Sequence, residues 1–182
     1  MLNVILETCA GTLTQGLIYA ILSYGIFITY KILDFPDLTV DGSFPLGAAV
    51  TAVLLTHGVN AWLTLPIALV IGALAGLCTG LIHVRAKVRD LLAGIITMTA
   101  LYSINLQIAG SNLMVERAID TIYTSAPVMA LLGSVPLLYR KLIVSLVLVV
   151  LIGLVPEWYF STKNGLLLRA LVDNDTLVTT LA

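Results

Sequence analysis

Long apolar runs alternate with short polar breaks along this chain, and their lengths predict membrane helices. A spanning helix needs about 20 mostly apolar residues, and four runs meet that length, at 13–33, 62–83, 91–110 and 139–159. A fifth run, 44–56, would be only about 20 Å long as a helix. Because the hydrocarbon layer is roughly 30 Å thick, this run predicts a half-helix that begins inside the membrane.

The break between the first two runs, residues 34–47, contains three carboxylates, two prolines and two glycines. Non-helical backbone is tolerated at membrane depth only where protein buries it or where it lines a wet cavity. Carboxylates at that depth are costly without a partner or a pathway. We expect Ser43 to be the N-cap of the half-helix and Pro45 to lie in its first turn.

Two interpretations of this break remain open. In the first, Asp37 and the Asp41-Gly42 pair form an ordinary solvated turn. In the second, the free amides of the half-helix face a central pathway, as in transporters with broken helices. The second interpretation places Asp37, Asp41 and Ser43 on a translocation pathway.

A polar stripe marks the predicted helix 91–110. Thr99, Ser103 and Gln107 lie four residues apart and therefore share one helix face, and polar side chains in lipid favour the bundle interior. Hydrogen bonding between helices explains the stripe, and a wall of the solute passage is the alternative. Asn105 points elsewhere, and we expect it to make a packing hydrogen bond.

A stripe of glycines follows one face of the predicted helix 62–83. Gly72, Gly76 and Gly80 are spaced by four residues, so this face has almost no side chains. Another helix can approach such a face closely, which predicts a packing surface. A substrate passage beside the stripe is the alternative.

Composition supports the membrane class and excludes several others. The 182 residues are 59% hydrophobic and 10% charged, with a formal net charge of −1, whereas a soluble domain is about a quarter charged. The charge balance gives no basic surface for nucleic acid. The sequence has no nucleophile elbow, zinc-protease motif or P-loop, so we expect no enzyme activity, no metal and no cofactor.

Charge also predicts the orientation of the chain. Three cations within 85–89 directly follow a span, which places this loop in the cytoplasm by the positive-inside rule. Residues 111–136 should then be external and residues 161–182 cytoplasmic. Lys31 favours an external N-terminus, but a half-helix that begins at mid-membrane leaves the orientation of the first span open.

Three segments resemble one family of membrane proteins. Residues 37–50, Asp-Leu-Thr-Val-Asp-Gly-Ser-Phe-Pro-Leu-Gly-Ala-Ala-Val, resemble the loop and second helix of ABC-importer permeases of the branched-chain amino acid and ribose class. Residues 91–106 and 165–174 resemble the next span and the cytoplasmic coupling segment. The subgroup most similar to the chain is associated with tryptophan/tyrosine-type binding proteins.

The resemblance implies a permease homodimer in the lipid bilayer, with an external solute-binding protein and a cytoplasmic ATPase subunit. The ATPase would contact Gly165, Arg169, Ala170 and Asn174. The same tail also fits a short interfacial helix whose cation meets lipid headgroups. Val172 departs from the family, which usually has glycine there, so the turn after Arg169 is open.

Together these features predict an all-α polytopic bundle with a broken helix after the first span. Residues 1–182 would form a single, incomplete permease domain in the bacterial plasma membrane, with a coupling segment at 161–182. Since the family normally continues beyond the position of Ala182, we expect a truncated, fragmentary or unusually short permease. An amino acid, aromatic or not, is the expected solute, and a non-transporting membrane scaffold is the alternative.

Overall fold

Helices account for the regular structure of the chain in the computed structural model, which describes residues 1–32, 34–110 and 119–173. No strand occurs within these ranges. A π-helical turn at Ile28–Ile32 extends the first helix, and a 3-10 turn at Ile122–Thr124 precedes the fifth. The helices are α1 (Leu2–Phe27), α2 (Val40–Thr56), α3 (Ala61–Ala86), α4 (Asp90–Ala109), α5 (Ala126–Leu132), α6 (Leu137–Phe160) and α7 (Lys163–Asp173).

Four helical segments of the described ranges are long and apolar enough to cross a membrane. They are Val4–Ile32, Ala61–Ala86, Asp90–Ala109 and Leu137–Phe160. Helix α2 has 17 residues, which corresponds to a length of about 26 Å and is still shorter than the hydrocarbon layer. The prediction of an all-α polytopic bundle with one short helix after the first span is confirmed.

The chain divides into two compact units. The first comprises Met1–Phe35 and Ser134–Ala182, and the second comprises Pro36–Gly133. In the first unit α6 packs against both α1 and α7, while in the second α2 packs against α3 and α4, which also contact each other. The single permease domain expected over 1–182 remains a prediction.

The predicted break lies between the π-helical turn and α2. Asp34 adopts a left-handed backbone conformation with a φ of 49°, which Asp tolerates better than most residues. The amide of Phe35 donates a hydrogen bond to the carbonyl of Thr29 at 2.9 Å, and residues 34–38 form the non-helical break.

Helix α2 begins earlier than the sequence predicted. Thr39 is its N-cap, and the carboxylate of Asp37 accepts the Thr39 amide at 2.8 Å. The assignment of Ser43 as N-cap is therefore wrong, and Pro45 is the sixth residue of the helix rather than part of its first turn. Asp41 and Gly42, which resemble a turn pair in sequence, lie in the first helical turn.

The close approach of α2 and α4 explains this earlier start. Gly42 is buried, and a Cβ atom there would lie 3.0 Å from Cβ of Leu101 and 3.1 Å from the backbone of Met98. Gly94 of α4 is equally close to the segment before α2, since a Cβ atom at this position would lie 3.0 Å from the amide nitrogen of Leu38. Tertiary packing of the glycines thus overrides the local turn preference of the Asp-Gly pair.

We predict that Gly42→Ala weakens this helix crossing. The added methyl group must displace the Met98 backbone, and overpacking of this kind costs about 1–3 kcal/mol. Gly47→Ala in the same helix is the matched control, because its nearest neighbour would be Cβ of Ala68 at 4.0 Å. Denaturation of both variants by dodecyl sulfate in mixed micelles measures the difference, and equal stability of the two would contradict the close crossing.

Candidate functional site

A cavity of about 470 Å³ lies between α2 and α4 in the second unit. Its volume falls in the range of small-molecule sites, which are also mostly apolar with a few polar groups. Its polar side chains come from both helices. The lining residues are Asp41, Gly42, Pro45, Ala49, Met98, Thr99, Tyr102, Asn105, Leu106 and Ala109.

The first turns of α2 supply Asp41, Gly42 and Pro45 to the wall of this cavity. Asp41 is exposed and lines the cavity beside Pro45. Proline has no backbone N–H, so the carbonyl of Asp41 lacks the donor that a helix normally provides four residues later. The carboxylate of Asp41 also lies in the first turn, where the helix dipole favours negative charge. This end of α2 therefore presents hydrogen-bond acceptors.

Asn105 joins α4 to α2 at the cavity wall. Its Nδ2 donates to the carbonyl of Gly42 at 3.0 Å, which confirms the packing hydrogen bond expected for this residue. Its Oδ1 is buried and has no partner among the described residues. An unsatisfied buried acceptor typically costs about 1–3 kcal/mol. The sequence did not predict that Asn105 would line the cavity, although an amide in an apolar helix was the available signal.

Two buried hydroxyl groups fix the start of α2 against α3. Thr39 and Thr79 are each 1% exposed, and their Oγ1 atoms lie 2.6 Å apart. Thr79 also donates to the carbonyl of Ala75 at 3.3 Å. This pair was not predicted, because nothing in the sequence separates Thr79 from other threonines of apolar helices. It holds the turn that carries Asp41.

Only two of the predicted pathway residues line the cavity. They are Asp41 and Thr99, and the hydroxyl of Thr99 donates back to the carbonyls of Ile95 and Ile96 at 3.0 and 2.9 Å. Ser103 and Gln107, which share the stripe with Thr99, are exposed and do not line this cavity.

Asp37 and Ser43 also lie away from the cavity wall. Both are half-buried. The Asp37 carboxylate accepts the amide of Thr39, and Oγ of Ser43 lies 3.5 Å from the carbonyl of Val40. Pathway roles for Asp37, Ser43, Ser103 and Gln107 remain predictions.

The glycine stripe of α3 is open within the described part of the chain. A Cβ atom added at Gly72, Gly76 or Gly80 would meet nothing within 4 Å. The helix uses other positions for its contacts, with Ala75 and Thr79 buried. Helix packing by the stripe remains a prediction.

Helix α7 forms part of the predicted coupling segment. It carries Gly165, Arg169 and Ala170, whereas Asn174 lies outside the described residues. Gly165 is buried, and a Cβ atom there would lie 2.5 Å from Cα of Phe160 and from the carbonyl oxygen of Tyr159. Only glycine fits this contact between α7 and the end of α6.

The described structure is that of a multi-pass helical membrane protein with a helix break and a cavity beside it. The sequence model of the family "Branched-chain amino acid transport system / permease component" matches residues 8–182. The chain belongs to this family, which confirms the resemblance found in the sequence. Family membership and the four apolar helices make it a multi-pass membrane protein, located in the inner membrane in bacteria.

Two relatives illustrate this similarity. A tyrosine transport system permease protein of Clostridioides difficile (strain R20291) is 46% identical over 102 residues, which cover 56% of this chain and 35% of the relative. An uncharacterized protein of Rickettsia prowazekii (strain Madrid E) is 40% identical over 96 residues, covering 53% of this chain and 34% of the relative. The matched part thus spans about a third of each relative's length. No solved structure matches the chain.

We predict that Gly165→Ala tilts α7 away from α6. The methyl group would overlap the backbone of residues 159–160, which cannot yield without moving the helix. The distance between spin labels at Leu154→Cys and Leu167→Cys, both 55% exposed, should change and broaden. Gly153→Ala is the control in α6, because its Cβ would meet nothing within 4 Å. An unchanged distance distribution in the Gly165 variant would show that the contact does not fix α7.

Proposed function

We propose that this chain acts as the permease subunit of an ATP-driven ABC importer. The observation that carries the proposal is the match of the permease family to residues 8–182. An external binding protein delivers the solute, and a separate cytoplasmic ATPase subunit hydrolyses ATP. The membrane part works as a permease homodimer.

The second unit supports a pathway that passes beside α2 and α4. The short α2 starts after a non-helical break, and Asp41 of its first turn lines the cavity. In transporters with broken helices, such ends bind or guide the solute. Asp41 and Thr99 are the residues that we assign to the pathway wall.

The first unit supports coupling to the ATPase. Close packing at Gly165 attaches α7 to the end of the long apolar helix α6. Movement of the ATPase against Gly165, Arg169, Ala170 and Asn174 would therefore reach α6 as a rigid-body displacement. No chemical step takes place in this chain during that transfer.

The small solute that we propose is an amino acid, with aromatic amino acids as the first class to test. The reason is the similarity to a tyrosine transport system permease protein. The largely apolar wall of the cavity agrees with a solute that has an apolar side chain.

We predict ATP-dependent tyrosine uptake by the assembled system. The chain would be reconstituted in proteoliposomes with the proposed ATPase and binding protein, and accumulation of radiolabelled tyrosine measured against leucine and ribose. An ATPase variant without its P-loop lysine is the control and should abolish uptake. A complex that assembles but moves none of these solutes would favour the scaffold alternative.

We also predict that Arg169→Glu weakens association with the ATPase. Inverting a cation placed for partner recognition typically costs several kcal/mol when like charges meet, so co-purification and uptake should both fall. Lys163→Glu gives the same charge change in the first residue of α7 and should leave association largely intact. Wild-type association in the Arg169 variant would refute the coupling assignment.

A further inference from the structure

We propose that the cavity between α2 and α4 binds a free neutral amino acid, with its ammonium group at Asp41. This inference rests on the proposed transport function and specifies which part of the solute the chain recognises. It follows from a carboxylate residue in a cavity wall that contains no basic residue and is otherwise largely apolar.

The acceptors of the proposed site belong to Asp41. The carboxylate of Asp41 and its backbone carbonyl, which Pro45 deprives of a helical donor, belong to the same residue of the cavity wall. Asn105 donates its Nδ2 to the carbonyl of Gly42, and its Oδ1 is enclosed by the protein, so its amide offers no free donor to a ligand. A ligand that itself donates hydrogen bonds therefore matches Asp41.

An ammonium group fits these acceptors better than a neutral donor. It carries three N–H donors and a positive charge, and charge-assisted hydrogen bonds are roughly twice as strong as neutral ones. None of the cavity-lining residues is basic, so the wall itself supplies no counterion for Asp41. A ligand cation at this point would neutralise the carboxylate.

The apolar residues of the cavity wall favour particular side chains of the bound amino acid. Pro45, Ala49, Met98, Leu106 and Ala109 present apolar atoms, against which a charged side chain would lose its hydration without compensation. Tyr102 adds an aromatic ring and a hydroxyl group that is available to the carboxylate of the ligand. The cavity therefore suits amino acids with aliphatic or aromatic side chains.

Protection of a cysteine placed at Ala49 tests this inference directly. Cys9 and Cys78 are both exposed and would first be replaced by alanine. The assembled complex in phosphatidylcholine nanodiscs would then react with a water-soluble maleimide, with tyrosine or its deaminated analogue 3-(4-hydroxyphenyl)propionate present. We expect tyrosine to slow labelling at saturating concentration, and the analogue to bind at least about tenfold more weakly, since it lacks the ammonium group.

Variants of two aspartates show which carboxylate the protection by tyrosine depends on. Asp41→Asn should reduce the apparent affinity for tyrosine at least about tenfold. Asp34→Asn is the matched control, because it removes an exposed carboxylate from the same break and asparagine tolerates the left-handed backbone there. Tyrosine should still slow maleimide labelling in this control variant.

The outcomes separate this inference from the transport proposal. Equal protection by the deaminated analogue, undiminished protection in Asp41→Asn, or no protection in a complex that imports tyrosine would each overturn the ammonium site. So would protection by phosphatidylethanolamine alone, which would make a lipid the occupant. Tyrosine protection that depends on Asp41 in a complex without uptake would instead uphold the site and reject the transport function.

Discussion

Helix α2 meets helix α4 at Gly42, where no side chain separates the two backbones and a Cβ atom would lie 3.1 Å from Met98. At this separation Nδ2 of Asn105 donates to the Gly42 carbonyl across the interface at 3.0 Å. The cavity lies beside the crossing, where Pro45 and Tyr102 are part of its wall. The position of the candidate site is therefore tied to one close helix crossing, and the chemistry of its wall depends on which residues flank that crossing.

Hydrogen bonds fix the start of α2, because the hydrophobic effect contributes little to helix association in lipid. Lipid is as apolar as leucine, so association in the membrane relies on close packing and hydrogen bonds between helices. The Thr39–Thr79 hydroxyl pair links α2 to α3, and Asp37 accepts the Thr39 amide. These two bonds converge on Thr39, and Asp41 follows within the next helical turn. A flexible loop would leave that carboxylate without a defined position.

Run length predicted the spans well, whereas the site required information about packing. The four long apolar helices were found from the sequence because each approaches or exceeds about 20 apolar residues. The sequence predicts too late a start for α2, because the Asp41-Gly42 pair resembles a turn and only the tertiary structure shows Gly42 packed against Met98. Spacing predicts the stripe of Thr99, Ser103 and Gln107, but spacing does not say which part of a face a neighbouring helix covers. The hydrogen bond predicted for Asn105 is confirmed, whereas its place at a cavity depends on the position of α2.

Glycine has two different physical roles in this chain, and the sequence does not distinguish them. Gly165 is buried against the backbone at the end of α6, so its missing side chain permits a contact that fixes α7. Gly72 and Gly76 have the spacing typical of helix packing, yet open space surrounds them within the described residues. A close contact between two helices resists deformation because packed atoms have few alternative arrangements. The junction of α6 and α7 can therefore transmit a displacement, whereas the open face of α3 can do so only where another surface covers it.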